Sequence, residues 1–244
     1  AEPLYRRALE IAEQTGGPDH PDTGTYLNNL AMLLQNKGDL EAAEPLYLRE
    51  LAITEKSLGL DHPDTEKKLY SLANFFENKG NFDAAESLYV RQLKLAEQKS
   101  GPKYPDVSLL LTNLAFFYQD TGNLDAAEPL FRRALMIIED EQGSEHPEVG
   151  LLLKDLSRLV LERGNHGSAE PLYRRALQIA EKERGPDHPD LAPDLQEYGV
   201  LLRSLKRYNE AFDALNRALA INEKNAGPDS EEVASTLSAL GKIF

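Results

Sequence analysis

Apolar residues along the 244-residue chain fall into two helical stretches that alternate from one end to the other. Within residues 20–61, Leu27, Leu30, Ala31, Leu33 and Leu34 stand three and four positions apart. That spacing lines one face of a helix, here called helix A, which ends near Gly38. A second run through Leu40, Ala43, Leu46, Tyr47, Leu51 and Ile53 predicts helix B, closing at Gly59. Polar residues around the two glycines mark short connections.

The same segment then returns. Gly-Pro-Asp-His-Pro-Asp at Gly17–Asp22 comes back, altered, at Gly59–Asp64, Gly101–Asp106, Gly143–Glu148, Gly185–Asp190 and Gly227–Glu232, always 42 residues on, without insertion or deletion. A fixed period of this size predicts an all-α solenoid of antiparallel helix pairs, about 12 helices in all, each unit burying its apolar face against the next. The expected division is helix B alone in residues 1–19, full repeats at 20–61, 62–103, 104–145, 146–187 and 188–229, and helix A alone in 230–244. The recurring motif itself reads as a helix start. Asp19 or His20 can cap the first N–H groups, Pro21 fits a first turn that needs no N–H, and Asp22 faces the positive end of the helix dipole.

Columns of equivalent residues separate packing from surface. Ala31 recurs as Ala73, Ala115, Ser157, Gly199 and Gly241, and Ala43 as Ala1, Ala85, Ala127, Ala169 and Ala211. Small residues there let helices approach closely. Tyr47 recurs as Tyr5, Tyr89, Phe131, Tyr173 and Leu215, a bulky wedge between repeats. An arginine stands at Arg7, Arg49, Arg91, Arg133, Arg175 and Arg217, and so complete a column implies a structural ion pair with a neighbouring acid. Pro3, Pro45, Pro129 and Pro171 fall inside helix B, where a frayed or bent first turn is expected.

Composition removes several functions. With 27 Lys and Arg against 41 Asp and Glu the formal charge is −14, which repels a phosphate backbone. Nucleic acid is not an expected partner. The absence of cysteine excludes disulfides and thiol catalysis. No apolar run reaches the roughly 18 residues of a membrane span, so the chain is expected to be soluble and cytoplasmic, with no membrane partner. His20, His62, His146 and His188 invite a metal site, but equivalent residues of stacked repeats stand too far apart to share one ion, and a role at helix starts fits them better. No phosphate loop, nucleophile elbow or His-Glu-x-x-His run is present. No enzyme activity, catalytic residue, metal or cofactor is expected.

Small residues at the two columns, the aromatic at Tyr47 and the alanines at Ala8, Ala134, Ala176 and Ala218 resemble the tetratricopeptide repeat, with a unit longer than the usual 34 or so residues. Leu27-Asn28-Asn29-Leu30-Ala31, Ala43-Glu44-Pro45-Leu46-Tyr47 and Leu58-Gly59-Leu60-Asp61-His62-Pro63-Asp64 resemble the repeats of kinesin light chains and of bacterial proteins built from similar units. The resemblance implies a right-handed superhelix whose helices A line a concave groove that holds extended peptides, and hence a scaffold or adaptor for a protein or peptide partner. Carried over by position, the groove residues are Asn28, Asn29, Met32, Tyr70, Asn74, Asn113 and Phe116 in an amide and aromatic half. Lys154 and Arg158 follow, among Asp155, Glu162 and Glu197, in a charged half. Amides there can serve a peptide main chain, or they can be solvated or bridge adjacent repeats. The alternative is a structural spacer, sensor arm or self-assembly module: the chain opens at the Ala43-equivalent Ala1 and closes at the Leu34-equivalent Phe244, complementary halves of one repeat, so head-to-tail contact between molecules is expected.

Overall fold

A computed structural model of the chain describes residues 1–102 and 105–243. Lys103 and Tyr104, in the third copy of the helix-start motif, and the terminal Phe244 lie outside the described residues. Twelve helices and no strand occur among the described residues. They fall into two compact units, Ala1–Leu114 and Ala115–Phe244. The first holds α1 (Glu2–Thr15), α2 (Pro21–Asn36), α3 (Leu40–Leu58), α4 (Pro63–Lys79), α5 (Phe82–Ser100) and the start of α6 (Pro105–Asp120). The second holds the rest of α6, then α7 (Leu124–Gln142), α8 (Pro147–Glu162), α9 (His166–Arg184), α10 (Leu191–Ser204), α11 (Tyr208–Ala226) and α12 (Glu231–Gly241). Even-numbered helices are the A type and odd-numbered ones the B type. Within the first unit α2 packs on α3, α3 on α4 and α4 on α5; within the second the same chain of contacts runs from α7 to α12.

Histidine sets the start of helix A. The Nδ1 atoms of His20, His62 and His146 accept the amide N–H two residues on, at 3.2–3.3 Å, followed by proline at the first helical position. His188 does the same for Asp190. The cap is the histidine and not Asp19, which instead binds Lys56 at 2.6 Å. Helix B starts on Asp39, Asn81, Asn123 or Asn165, whose side chains accept the N–H three residues on. These caps overturn one expectation. α3, α7 and α9 run unbroken through Pro45, Pro129 and Pro171, with no frayed first turn. Each proline sits in the second turn, so only one hydrogen bond is lost, and the freed carbonyl belongs to the solvent-facing first turn.

The small columns lie where the helices touch. Ala31, Ala73, Ala115 and Ser157 are fully buried, as are Ala43, Ala85, Ala127, Ala169 and Ala211. Ser157 donates to the Ala169 carbonyl at 3.1 Å, so its hydroxyl spans the A–B contact without an unpaired group. Tyr47, Tyr89, Phe131, Tyr173 and Leu215 are buried wedges. The arginine column is a latch between successive helices B: Arg49 reaches Glu13 at 2.5 Å, Arg91 reaches Glu55 at 2.7 Å, Arg175 reaches Glu139 at 2.5 Å and Arg217 reaches Glu181 at 2.7 Å. In each case the partner lies 36 positions earlier, so one spacing in the sequence builds the same bridge in every repeat named.

Candidate partner-binding surface

The faces of helices A carry the residues singled out in the sequence, and packing engages several of them. In the first unit, Asn28 donates to the Met32 sulfur at 3.4 Å, leaving Met32 half exposed, and Asn29 is half-buried beside it. Tyr70 is 38% exposed and rests edge-on against Tyr89, ring centres 6.1 Å apart. Asn74 accepts the Tyr89 hydroxyl through its side chain, and its backbone carbonyl accepts from Asn78 at 2.8 Å. Its amide therefore serves the wedge beneath it. Tyr70 and Asn113 come together: both line a hollow of about 540 Å³ between α4 and α6, over α5, with Gln92, Lys99, Asp106 and Leu109.

The second unit places Phe116 against Phe131, rings 5.1 Å apart and nearly perpendicular, with its other face open. Lys154 is ion-paired with Asp194 of the next helix A. Arg158 lies against Glu197 of the same helix at 3.3 Å, both about half exposed. The cations are therefore engaged by acids 40 and 39 residues on, respectively. Glu197 also accepts the Tyr173 hydroxyl at 2.7 Å. Burial first, then Glu197 beside it, pushes the Tyr173 phenol far above its ordinary value, so it stays a donor. Desolvation raises the Asp155 carboxyl above the usual range, against the lowering pull of Arg158 and Lys154.

Two hollows open between α8 and α10. One, of about 320 Å³, is lined by Pro147, Gly150, Lys154, Ala176, Ala180 and Asp194 among others. Its positions match those of the α4–α6 hollow two periods earlier, residue for residue: Pro63, Glu66, Tyr70, Gln92, Ala96 and Leu110. A smaller one beside α1 and α2 repeats the register again with Ala8, Ala12, Asp22 and Tyr26. The second α8–α10 hollow, of about 610 Å³, is lined by Arg158, Leu161, His166, Tyr173, Glu197, Val200 and Leu201 among others. His166 lines this hollow and is not among the residues singled out in the sequence. The signal was present: equivalent positions carry Leu40, Phe82, Leu124 and Tyr208, and a histidine there interrupts an apolar column. Its Nδ1 lies 3.0 Å from the Gly164 carbonyl.

No helix among the described residues is long and apolar enough to cross a membrane, and no group of three or more His, Cys, Asp or Glu is placed to hold a metal ion. The tetratricopeptide repeat family matches residues 1–56, 106–182, 159–224 and 194–244, and a second tetratricopeptide repeat profile matches residues 69–103. The chain belongs to the tetratricopeptide repeat family. This repeat fold is a general scaffold for protein–protein interaction, and its members bind protein partners. Among solved structures, the chain is similar to BtubC (BKLC) of P. vanneervenii, with 22% identity, 93% of this chain and 91% of that one covered, and a TM-score of 0.67. A Podosopora anserina protein assigned as a kinesin light chain, of nearly identical TPR-like repeats, matches with 23% identity, 84% and 97% coverage and a TM-score of 0.67. MamA protein matches with 17% identity, 86% and 97% coverage and a TM-score of 0.56. The fold is thus that of the kinesin-light-chain-like tetratricopeptide repeats. No curated protein matches by sequence.

Proposed function

We propose that this tetratricopeptide repeat chain is an adaptor that holds extended polypeptide segments against the faces of its helices A, with ligand side chains entering the hollows between neighbouring repeats. One observation carries this reading. A hollow recurs at the same register, framed by recurring packing columns, while its lining changes from Tyr70, Gln92 and Lys99 in one copy to Lys154, Ala176 and Glu183 in another. A constant frame with a variable lining is what a graded reader of side chains needs. Volumes of 320 to 540 Å³ lie in the range of small-ligand sites and admit one or two side chains each. Asn113, beside Tyr70 at the α4–α6 hollow, supplies an amide able both to donate to and to accept from a peptide main chain.

Each such contact contributes about 1 kcal/mol net, and ordering a flexible peptide opposes it, so short segments should bind at roughly micromolar Kd. The test is selection from a peptide-display library, in parallel, on the parent and on a Tyr70→Ala/Asn113→Ala variant. Neither residue is fully buried, so the variant should fold. Enrichment by the parent that the variant loses supports the reading, and identical enrichment by both removes the α4–α6 hollow from it.

A further inference from the structure

Resting on that reading, we propose that the larger hollow between α8 and α10 takes a basic side chain of the partner segment, whose cationic head replaces the Arg158 guanidinium on Glu197. The acid is fixed and its present cation is not. Glu197 accepts the Tyr173 hydroxyl at 2.7 Å, and that wedge is 2% exposed, so the carboxylate is aimed from below. Arg158 approaches the same carboxylate only at 3.3 and 3.4 Å, in a pair whose two side chains are 49% and 46% exposed. Exposed pairs of this kind contribute little, so exchanging one cation for another is inexpensive. The neighbouring cation does not compete, because Lys154 is held by Asp194.

Leu161, Val200 and Leu201 line the approach, an apolar bed for the methylene stem of a lysine or arginine whose head remains at the polar rim. The hollow of about 610 Å³ exceeds what one such stem occupies, leaving room for an apolar neighbour on the same segment. The charge of the whole chain, −14, raises the local concentration of cationic segments. An acidic segment would have to bring its carboxylates beside Glu197.

The experiment is a display library of peptides about ten residues long, randomised throughout, selected on the parent protein; enriched peptides are then titrated by fluorescence anisotropy against Arg158→Ala, Glu197→Gln and Val200→Trp. The expected result is enrichment of Arg and Lys. Arg158→Ala should then tighten binding about 3- to 10-fold, Glu197→Gln should weaken it about tenfold or more, and Val200→Trp should block it by filling the hollow. Enrichment of acidic peptides that Arg158→Ala weakens overturns the inference while the adaptor reading stands. So does enrichment that Val200→Trp leaves unchanged. Failure of the library to enrich any peptide overturns both.

Discussion

Gly199 stands where the four preceding repeats carry alanine or serine, and its neighbour explains the difference. A methyl group added there would lie 2.7 Å from Leu215 Cγ and 3.3 Å from the Ala211 carbonyl. Leu215, in the wedge column that is aromatic elsewhere, packs against Gly199 and leaves no room for Cβ. Gly199→Ala should therefore destabilise by about 1–3 kcal/mol in urea unfolding, although alanine is the better helix former by about 1 kcal/mol. Gly241→Ala, in the same column but with no atom within 4 Å of the added methyl, should be neutral or stabilising. Asp155 supplies a second test. Its carboxyl pKa is raised by burial, so its folded form holds its proton to higher pH than the unfolded chain does. The associated stability is complete below the unfolded pKa and is lost as pH rises through the folded one. At neutral pH the buried carboxylate is thus a cost. Asp155→Asn should be more stable than the parent at pH 7, with the difference shrinking towards pH 4, as read by urea midpoints. At this scale the small and aromatic columns were legible in the sequence. The fit of Gly199 to Leu215 was not, because it depends on how far a wedge leans.

Helices were the most legible level, since apolar spacing places both elements of the repeats and glycines punctuate their ends, except where Lys206 takes the glycine position at φ 61°. The prolines of helix B misled because proline was weighed without its cap. Asn165 accepts the Ser168 N–H at 3.2 Å and secures the first turn of α9 before Pro171 is reached. Asn165→Ala should cost about 1 kcal/mol by thermal or urea unfolding. The arginine latches act between elements. Arg175 meets Glu139 at 2.5 Å and the Ser144 carbonyl at 2.7 Å, with its side chain 38% exposed. A double-mutant cycle of Arg175→Ala with Glu139→Ala should give a coupling below about 1 kcal/mol, because solvent screens it. The latch was readable from a complete column. The pairs Lys154–Asp194 and Arg158–Glu197 were not, since neither is repeated and each joins two different columns across adjacent helices A. The surface cations consequently read as ligand contacts when the sequence stood alone.

In the molecule as a whole, stability should be local, because a repeat array has no central core and each pair of helices is supported only by its neighbours. Leu156, fully buried in α8, tests this. Leu156→Ala removes a core side chain at a cost of about 2–5 kcal/mol to the repeat that holds it. Amide hydrogen exchange should then show lost protection in α8 and α9 and in the helices packed on them, α7 and α10, while amides of α2 and α3 exchange as in the parent. A uniform loss through all twelve helices would mean that the array unfolds as one cooperative body. Local behaviour bears on binding as well, since α8 and α9, which supply one wall of the α8–α10 hollow, belong to the same repeat as Leu156 and α10, which supplies the other, packs on α9. Under this picture Leu156→Ala should weaken any segment read by Glu197 and Val200 without altering one held at Tyr70 and Asn113. One substitution in the core would then separate two binding surfaces that the period of the sequence makes look alike.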